Sequence, residues 1–285
     1  MTRPEWVPES LYPFGSNFLN IAGARLHYVD EGEGDPLLLL HGNPTWSFVY
    51  RELIKGLSDR FRCIAIDNPG FGLSSAPDDY GYMPADHAKV IEQFVLELDL
   101  KNVTMMTQDW GGPIGFWVAT RHAERMSGFI VGNTWAWPMT DARTRVFSAM
   151  MGGPVGRYMI KRRNLFVEKV LPGGVKRHKL PDEVMAAYRG PFSEVEARKA
   201  VHVLPRQIVQ SGDFLREVEQ RLPSVSDRRT LILWPSDDYA FGENELKRWE
   251  SIFPGHKTVR LEGAGHYIQE DAPDEIIAAI REWAG

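Results

Sequence analysis

Short, uninterrupted apolar segments mark the strands that the pattern of hydrophobic and polar positions predicts. The clearest one covers residues 36–40 (PLLLL) and ends at His41-Gly42. Continuous apolarity between turn residues is typical of a strand buried on both faces of a parallel sheet. Similar segments lie at residues 62–66, 103–107, 129–131 and 230–234, and two short strands are also predicted near the start of the chain, at residues 18–21 and 25–29.

Between these segments, apolar residues recur at helical spacing. Residues 85–98 show this spacing, and a final segment places Ile276, Ile280 and Trp283 on one helix face. Strands that alternate with helices indicate βαβ units. The pattern therefore predicts an α/β fold with a mostly parallel central sheet flanked by helices.

The alternation stops in one long segment, residues 135–226, which is rich in Arg, Met, Gly and Pro. Its pattern predicts short helices, and an apolar strand follows it. We interpret residues 135–226 as an inserted helical cap. Residues 1–134 and 227–285 then form the α/β core.

Composition and charge argue against two classes of binding partner, nucleic acids and membranes. The net charge of −5 does not provide the basic surface that a nucleic acid requires, and the longest apolar runs are far shorter than a membrane span. We therefore expect no nucleic-acid or membrane partner. The single cysteine, Cys63, makes no internal disulfide, no metal site is indicated, and the N-terminus lacks an apolar signal core. These features predict a cytoplasmic protein without a cofactor, either a monomer or a homo-oligomer.

The segment TQDWGG, residues 107–112, follows a predicted strand and opens a predicted helix. This is the context of a nucleophile elbow, a strained turn that needs small residues such as Gly111 beside the nucleophile. Asp109 holds the nucleophile position. An aspartate before a helix is more often an N-cap, so the segment alone leaves both interpretations open.

Two further strand ends supply the partners that such a nucleophile needs. His266 follows a predicted strand on the glycine-rich loop EGAGH, and Asp237 and Asp238 follow the strand at residues 230–234. The chain order is nucleophile, acid, histidine, and the carboxyl ends of parallel strands meet at one edge of the sheet. The pattern thus predicts one site that combines these residues.

Over residues 12–283 the sequence resembles the haloalkane dehalogenases, which have the α/β-hydrolase fold. The matching segments are HGNPTWS at 41–47, DNPGFGLS at 67–74, QDWGGP at 108–113 and GH at 265–266. The first and third are specific in combination, whereas the second is general among α/β-hydrolases. The resemblance implies hydrolysis of a small apolar haloalkane to an alcohol, a halide ion and a proton.

The resemblance also implies a role for each residue. Asp109 is the nucleophile that forms a covalent alkyl ester, His266 is the base and Asp238 is the acid that orients it. Asn43 and Trp110 hold the halide with their side chains and the oxyanion with their backbone N–H groups.

One branch of the family places its acid at the position of Asn133, which cannot ionise, so the acid comes from Asp237 or Asp238. Asp238 is the better choice, because the family's carboxylate usually falls four residues after the aromatic residue that ends the strand, here Trp234.

Three alternatives remain. An epoxide hydrolase uses the same residues but needs tyrosine hydroxyls from the cap, for which Tyr158 and Tyr188 are candidates; Asn43 argues against it. A β-lactone decarboxylase uses the same machinery. A non-catalytic binding protein would tolerate loss of a triad residue.

Five aromatic residues could either line the substrate pocket or pack in the core: Trp135, Trp137, Phe147, Phe166 and Phe192.

Overall fold

One sheet organises the molecule. The structure, a computed structural model, describes residues 4–285. Residues 1–3, on which the prediction of an N-terminus without a signal core partly rests, lie outside the described residues. Within residues 4–285 eight strands are found: β1 (Asn17–Ile21), β2 (Ala24–Glu31), β3 (Pro36–Leu40), β4 (Arg62–Ile66), β5 (Val103–Asp109), β6 (Met126–Thr134), β7 (Arg229–Pro235) and β8 (Lys257–Leu261).

The strand order in the sheet is β1-β2-β4-β3-β5-β6-β7-β8. β1 pairs antiparallel with β2, and β2 with β4, whereas all the other described pairs are parallel. All five residues of β3 are buried, since helices cover both faces of the sheet. The predicted mostly parallel α/β sheet is therefore confirmed.

Helices follow the strands and cover the sheet. In chain order they are α1 (Arg51–Leu57), α2 (Pro84–Glu97), α3 (Gly111–Ala119), α4 (Ala142–Gly152), α5 (Pro154–Arg163), α6 (Leu171–Gly174), α7 (Asp182–Arg189), α8 (Lys199–Gln210), α9 (Gly212–Arg221), α10 (Glu243–Ile252), α11 (Ile268–Asp271) and α12 (Pro273–Ala284). No helix within residues 4–285 combines the length and the apolar character that crossing a bilayer requires.

β6 is longer than the sequence indicates. The apolar pattern predicts residues 129–131, but the strand runs over Met126–Thr134. Ser127, Gly128, Gly132 and Asn133 interrupt the apolar run, yet Gly128 and Gly132 pair with both β5 and β7. Strand pairing uses backbone groups, which small and polar residues supply as well as apolar ones do.

Helices α4 to α9 all lie between β6 and β7 in the chain, in the segment that the sequence predicts to be helical. α4 packs against α8, and the Ser148 hydroxyl of α4 donates a hydrogen bond to the carbonyl of Pro205 in α8 (2.8 Å). Residues of both helices line a cavity that reaches Asp109 at the carboxyl end of β5. This helical segment therefore covers the edge of the sheet where the site lies.

Candidate active site

Asp109 stands at the tip of a sharp turn between β5 and α3. Its φ of +49° lies in the left-handed region, which a non-glycine residue seldom occupies. The surrounding backbone comes very close: a Cβ at Gly111 would lie 2.2 Å from the carbonyl oxygen of Leu40, and one at Gly42 would lie 2.3 Å from the Asp109 Cβ. The glycines therefore permit a turn that projects the carboxylate beyond the strand ends, as a nucleophile elbow does.

Backbone N–H groups favour the charged form of the Asp109 carboxylate. The N–H of Asn43 donates to Oδ1 at 2.8 Å, and the N–H of the following residue, Trp110, also lowers the pKa of this carboxyl. Burial raises the pKa of Asp109 above its ordinary value, although His266 and the two N–H groups oppose that rise. The carboxylate is thus only partly solvated, and its Oδ1 already accepts from the Asn43 N–H, a donor of the kind that an oxyanion requires.

His266 lies between two carboxylates. Its Nδ1 is 3.0 Å from Asp238 Oδ2, and its Nε2 is 3.8 Å from Asp109 Oδ2. Burial lowers the pKa of the imidazole, but the charges of Asp238 and Asp109 outweigh burial, so the net pKa is raised. In the neutral ring, a proton on Nδ1 that is donated to Asp238 leaves the lone pair on Nε2, the tautomer that a general base requires.

The structure distinguishes the two neighbouring aspartates after β7. Asp238 contacts His266, accepts a hydrogen bond from the Ala240 N–H at 2.7 Å and has a fully buried side chain. Burial raises its pKa, but His266, Ala240 and Asn133 outweigh burial and hold the net pKa below the ordinary value. Asp237 is exposed and forms no hydrogen bond or ion pair with His266. Of the two, Asp238 alone is placed to orient the imidazole.

Two polar residues support this arrangement, and sequence analysis did not assign them that role. The Asn133 side-chain N–H donates to Asp238 Oδ2 at 2.7 Å, so the residue at the alternative acid position stabilises the acid. Gln108 Nε2 lies 3.2 Å from both Nε2 and the main-chain oxygen of His266. A polar residue at the end of an apolar strand was the available signal for Gln108.

The side chains of Asn43 and Trp110 both line the cavity in front of Asp109. Asn43 Nδ2 donates one hydrogen bond to the carbonyl of Val201 in α8, at 3.1 Å. A carboxamide nitrogen carries two protons, so the second remains available to an anion. The sequence did not indicate the Val201 contact, which ties this side chain to the helical segment.

The cavity has a volume of about 180 Å³ and a mainly apolar lining. Trp135, Phe147 and Phe166 are part of that lining, whereas Trp137 and Phe192 are not. Trp137 packs against Trp249, and Phe192 packs against Phe71. Three of the five candidate aromatic residues therefore contact the substrate space. The remaining lining residues are Met139, Arg143, Thr144, Pro205, Ile208, Tyr239, Ala240 and Phe241, together with Asn43, Asp109, Trp110 and His266.

The chain is similar to known proteins of the α/β-hydrolase fold. Residues 35–273 match the family model described as the alpha/beta hydrolase fold. The chain is 45% identical to haloalkane dehalogenase 2 of Mycobacterium tuberculosis, over 99% of both chains. It is 32% identical to a cis-3-alkyl-4-alkyloxetan-2-one decarboxylase of Shewanella oneidensis, over 96% of this chain and 90% of the relative.

Among solved structures, the chain resembles the haloalkane dehalogenase DbeA of Bradyrhizobium elkani with a TM-score of 0.87. The two are 27% identical, and the match covers 95% of this chain and 97% of that one. The fold, the order of the site residues and these similarities lead to one assignment: the chain belongs to the haloalkane dehalogenase family of the α/β-hydrolase fold.

Proposed function

We propose that this protein hydrolyses carbon–halogen bonds of small haloalkanes through a covalent alkyl ester on Asp109. The observation that carries the proposal is the placement of Asp109 in an apolar cavity, with uncharged N–H donors on one side and His266 on the other. A halide leaves a saturated carbon as an anion and needs no proton. Neutral donors in an apolar pocket suit that leaving group, and Asn43 and Trp110 provide them.

In the first step, Asp109 Oδ2 attacks the carbon that bears the halogen. The new C–O bond forms as the C–X bond breaks, and the bonding electrons leave with the halide. Oδ1 keeps its hydrogen bond from the Asn43 N–H, and the Trp110 N–H also favours the negative charge of this carboxyl. The halide accepts hydrogen bonds from the second carboxamide proton of Asn43 and from the indole N–H of Trp110. The product of this step is an alkyl ester on Asp109.

In the second step, His266 Nε2 removes a proton from water, and the resulting hydroxide attacks the ester carbon of Asp109. The negative charge that develops on Oδ1 is stabilised by the same two backbone N–H groups, each worth about 3–4 kcal/mol. Asp238 stabilises the imidazolium that forms. Collapse of the intermediate breaks the bond between the Asp109 carboxyl carbon and the alkoxy oxygen, and the hydroxyl proton of the intermediate passes to that oxygen. This restores the Asp109 carboxylate and releases the alcohol, and His266 then loses its proton to solvent.

The helical segment does not supply the tyrosine donors that the epoxide hydrolase alternative requires. Tyr158 is 58% exposed, and Tyr188 donates its hydroxyl hydrogen bond to Glu270. Neither tyrosine lines the cavity. An alkoxide leaving group therefore finds no cap tyrosine beside Asp109.

A β-lactone decarboxylase is the second candidate, and similarity to the Shewanella oneidensis relative favours it. The test compares release of bromide from 1-bromobutane with release of carbon dioxide from an alkyl β-lactone, using the Asp109→Ala variant as the blank. We expect bromide release that disappears in the variant. Carbon dioxide release without bromide release would overturn the proposal in favour of the decarboxylase.

A further inference from the structure

The outer surface of the helical segment exposes an unusual share of apolar side chains. Among the described residues, seven large hydrophobic side chains are exposed, and five of them lie on α4, α5 and α8. Val155 is 77% exposed and Val146 is 65% exposed. We call the exposed residues of these three helices the cap face; its apolar members are Val146, Met150, Val155, Tyr158 and Val209.

Two of these side chains, Val146 and Val209, share one groove. A shallow groove runs between the helices and is lined by Val146 and Ala149 of α4, Pro154 of α5 and Val209 of α8. Val155 and Tyr158 lie three positions apart on α5, which places them on the same side of that helix. An apolar surface of this kind on a folded protein marks a site of interaction.

The charge of the cap face is opposite to that of the whole protein. Helices α4, α5 and α8 contain eight of the 33 Lys and Arg residues and none of the 38 Asp and Glu residues. Within residues 4–285 none of these eight forms an ion pair with a carboxylate: Arg143, Arg145, Arg157, Lys161, Arg162, Arg163, Lys199 and Arg206. Arg143 lines the active-site cavity and donates to the carbonyl of Tyr239, and Lys199 donates to the carbonyls of Asp78 and Tyr80. The positive charge of the other six is available to an external partner.

The inner sides of α4 and α8 face the substrate. Thr144 and Phe147 of α4 and Pro205 and Ile208 of α8 line the cavity above Asp109. Arg145, Val146, Arg206 and Val209 on the same helices line the outer groove. Two helices therefore separate the active-site cavity from the cap face.

We propose that the cap face binds an anionic lipid surface. Exposed apolar side chains enter the boundary between head groups and acyl chains, while arginines bind the anionic head groups, as they do in interfacial amphipathic helices. A second copy of the chain fits less well, because two cap faces without acidic residues would repel each other. Such a contact would be peripheral and would need no membrane-spanning helix, none of which is found within residues 4–285.

Such binding would place the cavity next to the phase in which apolar compounds concentrate. This consequence rests on the proposed function, because it assumes a haloalkane as the substrate. The binding itself does not depend on catalysis and is measured without substrate.

The experiment is co-sedimentation of the full chain with vesicles of phosphatidylcholine alone, or with one third phosphatidylglycerol. We expect binding only to the anionic vesicles, with loss of binding at high salt. A basic side chain near such a surface contributes ~1 kcal/mol, so Arg145→Gln and Arg157→Gln should each weaken binding about fivefold. Val155→Asn should also weaken it.

The matched controls change exposed residues elsewhere. Lys247→Gln alters the charge of α10, and Leu96→Gln alters an exposed apolar residue of α2; both should bind anionic vesicles like the unchanged protein. Halide release from a water-soluble bromoalcohol should stay unchanged in every variant. Equal binding to both vesicle types, or cap-face variants that bind normally, would overturn the proposal. So would light scattering that shows a dimer which Val155→Asn dissociates, because a second copy would then cover this face.

Discussion

At the scale of single residues, Asp237 and Asp238 have the same side chain in different surroundings. Asp238 is buried against His266, whereas Asp237 is exposed. We predict that Asp238→Asn lowers the turnover rate about 10³- to 10⁴-fold, because an amide no longer fixes the imidazole tautomer or stabilises its charged form. Asp237→Asn, the matched control, should change turnover less than about twofold, and similar losses in both would contradict the assignment of the acid.

The buried charge of Asp109 lowers the free energy of unfolding. Burial raises its folded-state pKa above the ordinary value of 3.8. The native state therefore loses stability relative to the unfolded state as the pH rises above 3.8, and this loss is complete once the pH exceeds the raised pKa. We predict that Asp109→Asn unfolds at a higher temperature at pH 7, by a few degrees for ~1 kcal/mol. The gain should shrink as the pH falls towards 3.8, where the unchanged protein is protonated at Asp109.

Scanning calorimetry from pH 4 to 7 measures this gain, and mass spectrometry verifies that the new asparagine remains intact. The exposed Asp237→Asn variant is the control and should melt like the unchanged protein. A gain at pH 4 as large as that at pH 7 would show that the charge of Asp109 is not the cause.

The halide donors should affect the two chemical steps differently. A hydrogen bond to a charged acceptor is worth about 1.5–3 kcal/mol, so Asn43→Ala and Trp110→Phe should each slow alkylation about 10- to 100-fold. Ester hydrolysis should slow less, since the oxyanion uses backbone N–H groups that both variants keep. Rapid-quench kinetics separates the steps. Trp137→Phe, which lies outside the cavity, should leave both rates unchanged; equal slowing of both steps by Asn43→Ala would contradict the halide role.

The sequence indicated residues at strand ends better than it indicated their partners. Asp109, Asp238 and His266 could be selected because each follows a predicted strand. The hydrogen bond from Asn43 to Val201 could not be predicted, because it depends on where α8 packs. The same reason explains why Trp135 and Trp137, two positions apart, differ in whether they reach the cavity.

At the scale of elements, a buried cluster joins α7 to the core. Arg51, where α1 begins, donates to both oxygens of Glu270 in α11, at 2.5 and 2.7 Å, and Tyr188 of α7 donates to the same carboxylate. We predict that Glu270→Ala lowers the free energy of unfolding by about 3–5 kcal/mol, because it leaves the Arg51 charge buried and unpaired.

Urea unfolding measures this loss. The control is Asp213→Ala, which removes the exposed partner of Arg216 and should cost at most about 1 kcal/mol. A loss below that value in Glu270→Ala would show that the cluster does not hold the two elements together.

At the scale of the whole molecule, a parallel sheet and a helical segment enclose the site together. Apolar segments that alternate with helical patterns were sufficient to predict the sheet, since its central strands β3 and β5 are buried on both faces and β3 is therefore continuously apolar. The arrangement of α4 to α9 left no such signature, because helix packing depends on side chains distant in the chain. The shape of the cavity was for that reason beyond sequence analysis, while its position at the strand ends was not.

The covalent ester on Asp109 is the central claim, and the His266→Phe variant tests it most directly. Without the base, alkylation should proceed and hydrolysis should stop. Intact-protein mass spectrometry after exposure to 1-bromobutane should show one added butyl group, and fragmentation should place it on Asp109. The double variant that also carries Asp109→Ala should keep its mass. An unmodified His266→Phe variant that still binds the substrate, or a butyl group on any other residue, would contradict the mechanism.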